Sequence, residues 1–364
     1  MTEIDADRLK QYQRLLFSKL EGAVTAGMVH LGDRLGLYRA LAASPAPMTP
    51  GELTAAAGLH ERWVREWSYN QAAAHLIEVE VEVGGDSDVE RFALTPESAA
   101  VLANEGHEAF SMGMFHQLPE TMDALGVLPE AFRSGLGHDF DSHGPESVAG
   151  SERSFEPWNR AHLVDDVLPN LADVVDKLTE GGAAADVGCG AGGAVLLLAE
   201  AFPASTFAGF DISAFALDRA EERLVDRGLT NASFHDARVA PLPSDGSLDL
   251  VTTFDCIHDM TDPQGMMRQI RSALADDGTW LLVDIKAMDT YAENAAGNPM
   301  ASMLYGISVL SCLSSALSDR GGAGLGTLGL SPATAEEMAR AAGFSRLRKL
   351  PVDHAINAFY EIRP

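Results

Sequence analysis

Between Ala183 and Pro364, short apolar segments alternate regularly with helical segments. The apolar segments are AAADV, TFAGFDI, ASFHDA, LDLVTTFD, TWLLVDI, RLRKLPV and NAFYEIRP. Strands that are apolar along nearly their whole length and are separated by helices are typical of a parallel sheet covered by helices on both faces. The last two segments have no helix between them, so we expect an antiparallel hairpin at one edge. The alternation therefore predicts an α/β fold with a doubly wound, mostly parallel sheet.

The N-terminal part of the chain has a different pattern. Residues 8–43 show helical periodicity, and Thr49 precedes Pro50 as an N-cap precedes a proline at the first helical position. A helix, a turn at Gly58 and a second helix over 61–75 follow, and then the strands LIEVEVEV and RFALT, joined by the turn GGDSD. A helix-turn-helix followed by a two-stranded wing predicts a winged-helix domain.

We expect two domains, because 364 residues exceed what one ordinary core accommodates. Residues 1–160 are assigned to the helical, winged-helix domain and 161–364 to the sheet domain, with an insert at about 287–330. The loop FRSGLGHDFDSHGPE has the composition of a connector that runs past a site. We expect its His138, Asp139 and His143 to be solvated rather than to line a pocket. Their spacing matches no metal-ligand pattern, so no metal is expected.

The charge of the chain argues against two classes of partner. Lys and Arg total 26 and Asp and Glu total 53, which gives a net charge of −27. Between Pro50 and Ala99 there are three arginines and ten acidic residues. A wing that reads DNA needs basic residues to contact phosphates. Nucleic acid and anionic membranes are therefore unexpected partners.

The expected location is the cytoplasm. The N-terminal segment is charged and has no apolar stretch of the secretory type. The three cysteines, Cys189, Cys256 and Cys312, lie far apart and predict neither a disulfide framework nor a metal site. Residues 295–318 carry no charge but are rich in Ser and Gly and contain Pro299, which favours a buried helix beside a pocket or a subunit contact over a membrane span.

The turn after the first strand of the sheet domain indicates a nucleoside-bearing cofactor. Gly188, Gly190 and Gly193 form the pattern G-x-G-x-x-G, and Asp186 precedes them. In NAD-binding proteins this turn holds a pyrophosphate, which an acidic neighbour would repel. S-adenosylmethionine has no phosphate and carries a sulfonium and an ammonium group, so an acidic neighbourhood favours it.

The ends of the next two strands agree with this interpretation. Asp211 is placed to accept hydrogen bonds from ribose hydroxyls, and Asp236 to accept one from an adenine amine. An aspartate at a strand–helix junction is also a common N-cap, and for Asp211, followed by Ser213, that alternative stays open.

The segments ADVGCGAGG, GFDIS, HDA and LDLVTTFDCIHDM resemble, in order and spacing, those of class I S-adenosylmethionine-dependent methyltransferases. The resemblance implies a Rossmann-like sheet of seven strands and an enzyme of class EC 2.1.1, with S-adenosylmethionine as methyl donor and S-adenosylhomocysteine as product. It assigns cofactor contacts to ten positions: Asp186, Gly188, Gly190, Gly192, Asp211, Ile212, Asp236, Ala237, Phe254 and Asp255.

The N-terminal segments LGLYRAL, ELTAAAGLHERWVREW and RFALTPESAAVL resemble the winged-helix dimerisation domain of small-molecule O-methyltransferases. This resemblance implies a homodimer formed through the N-terminal domain. It also implies a small substrate, which we expect to be an apolar or aromatic metabolite. O-methylation is favoured, and N-, S- or C-methylation stay open.

The segment FDCIHDMTDP supplies the candidate catalytic residues. His258 and Asp259 directly follow the fourth strand, where a histidine can act as base and a carboxylate can raise its basicity. By resemblance, the His of this His-Asp pair is the general base of O-methyltransferases with a winged-helix domain. The usual tryptophan is replaced by Met260, and no second acid can be placed. The alternative is that His258 helps to cap the helix at Pro263.

The uncharged insert supplies the candidate substrate residues, which are Met300, Met303, Leu304 and Tyr305. A subunit contact is the alternative role for these side chains. At the level of the whole protein, three rivals to methyl transfer remain. They are a cofactor-sensing winged-helix regulator, a methyltransferase-like fold that catalyses a non-methylating reaction, and an NAD-dependent oxidoreductase.

Overall fold

The computed structural model of the protein describes residues 4–83 and 88–364, which divide into two compact units. The first unit ends at Pro119 and the second comprises Glu120–Pro364. The first unit contains helices α1 (Ala6–Arg34), α2 (Leu37–Ala43), α3 (Pro50–Ala57) and α4 (Glu61–Ala73), strands β1 (Glu78–Glu82) and β2 (Val89–Ala93), and helices α5 (Pro96–Leu102) and α6 (Gly113–His116).

The predicted winged helix is present in the first unit. Thr49 caps α3 in a capping box with Glu52, Pro50 stands at the first helical position, and Gly58 ends the helix in the left-handed conformation. Strand β1 pairs antiparallel with β2. Residues 84–87 of the predicted turn GGDSD lie outside the described residues. Leu37, Leu53, Trp67, Phe92 and other apolar side chains form the core of the unit.

The second unit is built around the predicted seven-stranded sheet. Its early helices are α7 (Leu118–Asp123), which begins just before the unit boundary, α8 (Leu128–Ser134), α9 (Pro145–His162) and α10 (Val174–Glu180). The later elements are β3 (Ala183–Val187), α11 (Gly193–Ala201), β4 (Thr206–Asp211), α12 (Ala214–Arg227), β5 (Ala232–Asp236), β6 (Leu248–Phe254), α13 (Pro263–Ala273), β7 (Leu274–Ile285), α14 (Tyr291–Gly297), α15 (Ala301–Leu310), α16 (Cys312–Ala316), α17 (Pro332–Ala341), β8 (Arg346–Lys349) and β9 (Asn357–Arg363).

The strand order of the sheet is β5-β4-β3-β6-β7-β9-β8. Strands β3 to β7 are parallel, while β9 is antiparallel to both β7 and β8, which confirms the predicted hairpin at one edge. The strand order reverses between β3 and β6. A crevice for ligands is expected outside the carboxyl ends of the strands at such a reversal.

Apolar side chains on the two faces of the sheet explain why its strands are buried. One cluster includes Leu196, Leu250 and Leu281, and a second includes Val251, Trp280 and Leu282. Consecutive residues of a strand point to opposite faces, so the neighbours Leu281 and Leu282 belong to different clusters. Both faces are therefore packed, as the continuous apolar runs of the sequence predict.

Residues 120–160 pack within the second unit, so the unit boundary lies earlier in the chain than the predicted residue 160. The physical reason is a buried ionic contact between α9 and α12. Glu156 on α9 bonds Arg223 on α12, and both side chains are less than 9% exposed. Arg227 and Arg160 also bond Glu156, at 2.9 and 3.0 Å. Sequence periodicity does not reveal a contact between charged groups so far apart in the chain.

No helix in residues 4–83 and 88–364 is both long and apolar enough to cross a membrane. The uncharged stretch 295–318 forms parts of three short helices, α14 to α16.

Glu156→Ala should lower the free energy of unfolding of the second unit by about 3–5 kcal/mol, because it removes the closest carboxylate partner of the buried Arg223. Urea unfolding measures this change. Glu222→Ala is the matched control, because Glu222 is on α12 but 69% exposed and contacts Arg219 at 3.5 Å. Its effect should stay within about 0.5 kcal/mol. Equal effects of the two substitutions would contradict the assignment of α9 to this unit.

Candidate active site

The glycine turn between β3 and α11 is shaped by left-handed backbone. Gly190 has φ +53° and Gly192 has φ +74°, values that favour glycine. The two positions differ in their surroundings. A Cβ on Gly192 would lie 2.4 Å from the Phe234 ring, whereas a Cβ on Gly190 would meet no protein atom within 4 Å. Gly192 is therefore required by packing, and Gly190 leaves space open on the outer side of the turn.

Asp211 links the glycine turn to the start of α12. Its Oδ2 accepts a hydrogen bond from the backbone N–H of Gly190 at 2.8 Å, and its Oδ1 accepts one from Ser213 N–H at 2.8 Å. The N-cap of α12 is Ser213, whose hydroxyl accepts from Ala216 N–H. The helix therefore has its own cap, and the carboxylate of Asp211 holds the strand end and the turn together. Burial raises the pKa of Asp211.

Asp186 lies beneath the same turn. It is 3% exposed, and the Thr252 hydroxyl donates a hydrogen bond of 2.7 Å to its Oδ1. Burial raises the pKa of Asp186 to about 7, and the nearby Asp211 carboxylate acts in the same direction. A carboxyl group with this pKa gains or loses its proton easily near neutral pH, so a nearby cation shifts it toward the charged form.

The third acidic strand end differs from the other two. Asp236 binds the Arg238 guanidinium through both carboxylate oxygens, at 2.9 Å each. The pKa of Asp236 is accordingly lowered. Ala237 donates its N–H to Asp211 O, and Ile212 is 48% exposed beside them. These residues lie together at the ends of β4 and β5, as predicted, although Asp236 is engaged by an arginine.

Asp255 has a strained backbone at the end of β6, directly after Phe254. Its φ is +50°, which is uncommon for a residue other than glycine. Asn357 on β9 donates a hydrogen bond to its carboxylate. Burial raises the pKa of Asp255 to about 7, and the Asp284 carboxylate adds to this effect. The end of β6 is therefore followed by a second carboxyl group whose pKa lies near neutral pH.

His258 is buried in a short 3-10 turn, Ile257–Asp259, next to that strand end. Its Nδ1 lies 2.7 Å from Oδ1 of Asp284, and the two side chains are 2% and 3% exposed. Burial alone would lower the pKa of His258, but the Asp284 carboxylate outweighs it and raises this pKa well above its ordinary value. Helix α13 is capped by Asp262, whose side chain accepts from Gly265 N–H, so His258 is not its cap.

The carboxylate partner of His258 is therefore Asp284 rather than its neighbour in sequence, Asp259. Burial raises the pKa of Asp259 to about 7. Sequence reasoning missed Asp284, the next-to-last residue of the segment TWLLVDI. The available signal was its position, because it lies within one residue of the end of an apolar strand, as Asp186 and Asp211 do.

The loop Gly135–His143 lies against both sides of this site. Its backbone N–H groups at Gly137 and His138 bond Leu317 O and the Ser314 hydroxyl on the insert, at 2.9 Å each. At its other end, Asp141 Oδ2 accepts from Ala214 N–H at the start of α12. The loop therefore links the insert to the start of α12. His143 is not solvated, however, because it is only 8% exposed.

The four predicted substrate residues do not form one surface. Leu304 is 5% exposed, while Met303 is 50% exposed. Met300 precedes α15 and is partly buried, and the ring of Tyr305 lies 5.9 Å from the ring of Tyr291. Adjacent residues of a helix point about 100° apart, which agrees with the different exposures of Met303 and Leu304.

The acidic side chains at the strand ends suit a cationic nucleoside. Asp186 and Asp211 lie at the ends of β3 and β4 beside the glycine turn, Asp255 follows the end of the adjacent strand β6, and the guanidinium of Arg238 is bound by Asp236. A pyrophosphate would meet this group of acids without a free cation, whereas a sulfonium compound would be attracted to it. The residues present therefore fit S-adenosylmethionine. Among the described residues, no group of three or more His, Cys, Asp or Glu could hold a metal ion.

Comparison with known proteins agrees with the fold and this geometry. Residues 178–320 match the family model of the methyltransferase domain, and residues 23–104 match that of the Rv2258c-like winged helix-turn-helix domain. The chain therefore carries a methyltransferase domain and an Rv2258c-like winged helix-turn-helix domain.

Individual relatives are distant. Human N-acetylserotonin methyltransferase, solved with S-adenosylmethionine, is 17% identical, with a TM-score of 0.70 over 100% of this chain and 99% of that one. The mitomycin 7-O-methyltransferase MmcR is 20% identical, with a TM-score of 0.67 over 99% of each chain. A dimethylglycine N-methyltransferase of Parasynechococcus marenigrum is 33% identical over 127 residues, 34% of this chain. The match spans 45% of that relative, less than half of its length.

Two glycine substitutions should separate the open side of the turn from its packed side. Gly190→Ala places a methyl group in open space and should cost about 1–2 kcal/mol of stability through its positive φ, while weakening S-adenosylmethionine binding. Gly192→Ala should destabilise the protein more, because the new Cβ collides with Phe234. Thermal unfolding and isothermal titration calorimetry measure the two effects. Full affinity in folded Gly190→Ala would place the ligand elsewhere.

Proposed function

We propose that this protein transfers the methyl group of S-adenosylmethionine to a hydroxyl group of a small apolar or aromatic molecule, as an enzyme of class EC 2.1.1. The observation that carries the proposal is the buried His258–Asp284 pair, next to a strand edge rich in carboxyl groups. The edge supports binding of a cation, and the pair supports removal of a proton from the methyl acceptor.

The strand ends hold and orient the cofactor, which supplies a methyl group already activated by the sulfonium charge. Asp211 is fixed by two backbone N–H groups, so its carboxylate is preorganised to accept from ribose hydroxyls. Ile212 offers an exposed apolar side chain beside it. Asp186 and Asp255 place negative charge near the glycine turn, and Phe254 adjoins Asp255 at the end of β6.

His258 serves as general base in this proposal. Asp284 accepts a hydrogen bond from the Nδ1–H group of His258. The lone pair of Nε2 is then available to take the hydroxyl proton of the methyl acceptor. The same carboxylate stabilises the imidazolium that forms. Asp284 is thus a positioning residue. Asp259 contributes a third carboxyl group near the imidazole.

The insert supplies the apolar surroundings of the acceptor in this proposal. Helix α16 packs against the turn that carries His258, and Gly326 donates its N–H to His258 O. Leu304 and Met300 are the predicted substrate residues that remain candidates for the inner wall. Met303 is better suited to another contact because half of it is exposed.

A DNA-binding regulator is not favoured by the first unit. Arg62, Arg65 and Arg91 are ion-paired with Glu66, Glu61 and Glu52, respectively. Strand β1 of the wing exposes its three glutamates. Because these three arginines are already paired with carboxylates, they are poorly placed to bind DNA phosphates.

We also propose a homodimer formed through the first unit. Helix α1 exposes Tyr12, Leu16, Phe17 and Leu20, each by more than half. A groove of about 550 Å³ lies alongside, between α1 and α4. Exposed apolar surface of this kind is typical of an interface. Because the N-terminal segments resemble a methyltransferase dimerisation domain, we propose that a second copy of the chain covers this surface.

Calorimetric titration tests cofactor binding without a known acceptor. S-adenosylmethionine should bind near pH 7 with release of protons, because its positive charge lowers the pKa of Asp186, Asp255 and Asp259, each of which is about 7. Affinity should therefore rise between about pH 6 and pH 8. S-adenosylhomocysteine lacks the sulfonium charge and should release fewer protons, and NAD should bind weakly.

Two variants sharpen this titration. Asp211→Ala should lose about tenfold or more in affinity, because a charge-assisted acceptor is removed. Asp218→Ala is the matched control, since this residue is exposed on α12. Proton uptake on binding, or NAD binding as tight as that of S-adenosylmethionine, would overturn the proposed cofactor.

The pH dependence of methyl transfer tests the role of His258. With a panel of small phenols as acceptors and S-adenosylhomocysteine release as the measurement, kcat/KM should rise with pH and reach its midpoint above about 6.5, because the base must be neutral and its pKa is raised. The carboxyls of Asp255, Asp259 and Asp284, the Cys312 thiol and Tyr360 all influence this region.

His258→Ala should lower the rate by about 100-fold or more. Asp284→Asn should shift the rising limb to lower pH, because burial then dominates the pKa of His258. His162→Ala is the matched control, since His162, the last residue of α9, pairs with Asp166 at 2.6 Å and lies at no proposed contact. A pH profile unchanged by Asp284→Asn would exclude this pair as the catalytic base.

A further inference from the structure

Two buried hydroxyl groups near His258 have no hydrogen-bond partner. They belong to Ser315, on α16, and to Thr327, in the segment between α16 and α17. Ser315 is 6% exposed and Thr327 is 3% exposed. Within residues 4–83 and 88–364, neither hydroxyl oxygen is bonded. Buried polar atoms in native proteins nearly always have partners, so these two hydroxyls indicate a place that receives a polar group.

Backbone hydrogen bonds place Thr327 next to the proposed base. Gly326 donates its N–H to His258 O at 3.0 Å, and Thr327 is the next residue of the chain. The N–H of Thr327 donates to the hydroxyl oxygen of Ser308 on α15 at 3.1 Å. Hydrogen bonds therefore fix the backbone of this segment, while the hydroxyl of Thr327 is left for another group.

Helix α16 brings Ser315 to the same turn of the chain. The helix packs against the turn Ile257–Asp259, which carries His258. Its five residues, Cys312–Ala316, span only about 6 Å along the helix axis. Ser315 therefore lies within one helical turn of the surroundings of His258.

The neighbouring serine of α16 shows what a structural hydroxyl looks like here. Ser314 is also 6% exposed, but its hydroxyl accepts a hydrogen bond from the N–H of His138 at 2.9 Å. This bond joins α16 to the loop Gly135–His143. In the described part of the chain, Nε2 of the His138 ring is buried without a partner, as the Ser315 hydroxyl is. Ser314 thus contributes to the fold, whereas Ser315 and the ring of His138 are available to a ligand.

The charges nearby limit the kind of group that can bind. Asp259 follows His258 in the turn, and Asp284 pairs with the imidazole at 2.7 Å. These carboxyl groups would repel an anionic substituent. A hydroxyl group both donates and accepts hydrogen bonds, so Ser315 and Thr327 suit a neutral oxygen substituent such as a hydroxyl or a carbonyl group.

We propose that Ser315 and Thr327 form a polar subsite that binds a second, neutral oxygen group of the methyl acceptor. The acceptor class is then an aromatic molecule with at least two oxygen substituents. One is methylated next to His258, and the other is bound by the two hydroxyls. The assignment of this group to the methyl acceptor rests on the proposed function. Ser315 and Thr327 determine specificity and take no part in proton transfer.

Thermal unfolding of the protein without ligands tests whether the two hydroxyls are reserved for a ligand. Ser314→Ala should lower the unfolding midpoint by about 2–4 °C, because a bonded hydroxyl is lost. Ser315→Ala and Thr327→Val should leave the midpoint unchanged or raise it, because each removes a buried polar group that has no partner. A fall like that of Ser314→Ala for either variant would reveal a structural role and overturn the proposal.

Calorimetric titration in saturating S-adenosylhomocysteine tests recognition of the second oxygen group. Phenol is compared with 1,2-, 1,3- and 1,4-dihydroxybenzene and with the three hydroxybenzoates. At least one dihydroxybenzene should bind about tenfold or more tightly than phenol, and the hydroxybenzoates should show no such gain. Ser315→Ala and Thr327→Val should each reduce the preference about threefold or more, with the affinity for phenol unchanged.

Phenol binding as tightly as every dihydroxybenzene, or a preference that both substitutions leave intact, would overturn the polar subsite. Neither measurement requires methyl transfer. If the protein binds dihydroxybenzenes selectively but releases no S-adenosylhomocysteine when supplied with S-adenosylmethionine, the proposed reaction fails and the polar subsite stands. The two proposals are therefore tested separately.

Discussion

The burial of several carboxyl groups at one edge of the sheet, together with their mutual repulsion, sets the electrostatics of this edge. Parallel strands bring their carboxyl ends to the same edge, and β3, β4 and β7 each carry an aspartate near that end, while β6 is followed directly by Asp255. Burial and mutual repulsion raise the pKa of Asp186 and of Asp255 to about 7. At neutral pH these carboxyl groups are partly protonated. A positively charged ligand would lower their pKa values and favour the ionised carboxylates, so the edge suits a cation.

One charged partner within the protein relieves part of this repulsion. The imidazole of His258 pairs with Asp284, and this contact raises the pKa of the histidine against the effect of burial. Asp284 lies on strand β7, whereas His258 is held by segments that the strand–helix alternation does not include. The insert bonds the backbone of His258 through Gly326, and the loop Gly135–His143 bonds the insert and α12. The surroundings of the proposed base thus depend largely on the irregular parts of the second unit, and the proposed cofactor edge depends on the regular part.

Much of the fold could be predicted because its signals are local. The cap at Thr49 and the glycine turn depend on residues within a few positions of one another. The strand ends followed from the same pattern, and so did the aspartates placed there. The unit boundary could not be predicted, because Glu156 is assigned to its unit by Arg223, a residue on another helix. The sequence of a charged helix face does not identify the oppositely charged residues, on other helices, with which it will pair.

The sequence by itself determined the order of strands and helices and the set of residues at the edge of the sheet, because apolar periodicity, caps and glycine geometry act over short distances. Only the tertiary structure decided which of these residues meet. It paired His258 with Asp284 rather than Asp259, bound Asp236 to Arg238 and buried His143. Contacts of this kind depend on how separate elements pack and on which buried polar groups can satisfy one another, and neither property is a function of local sequence.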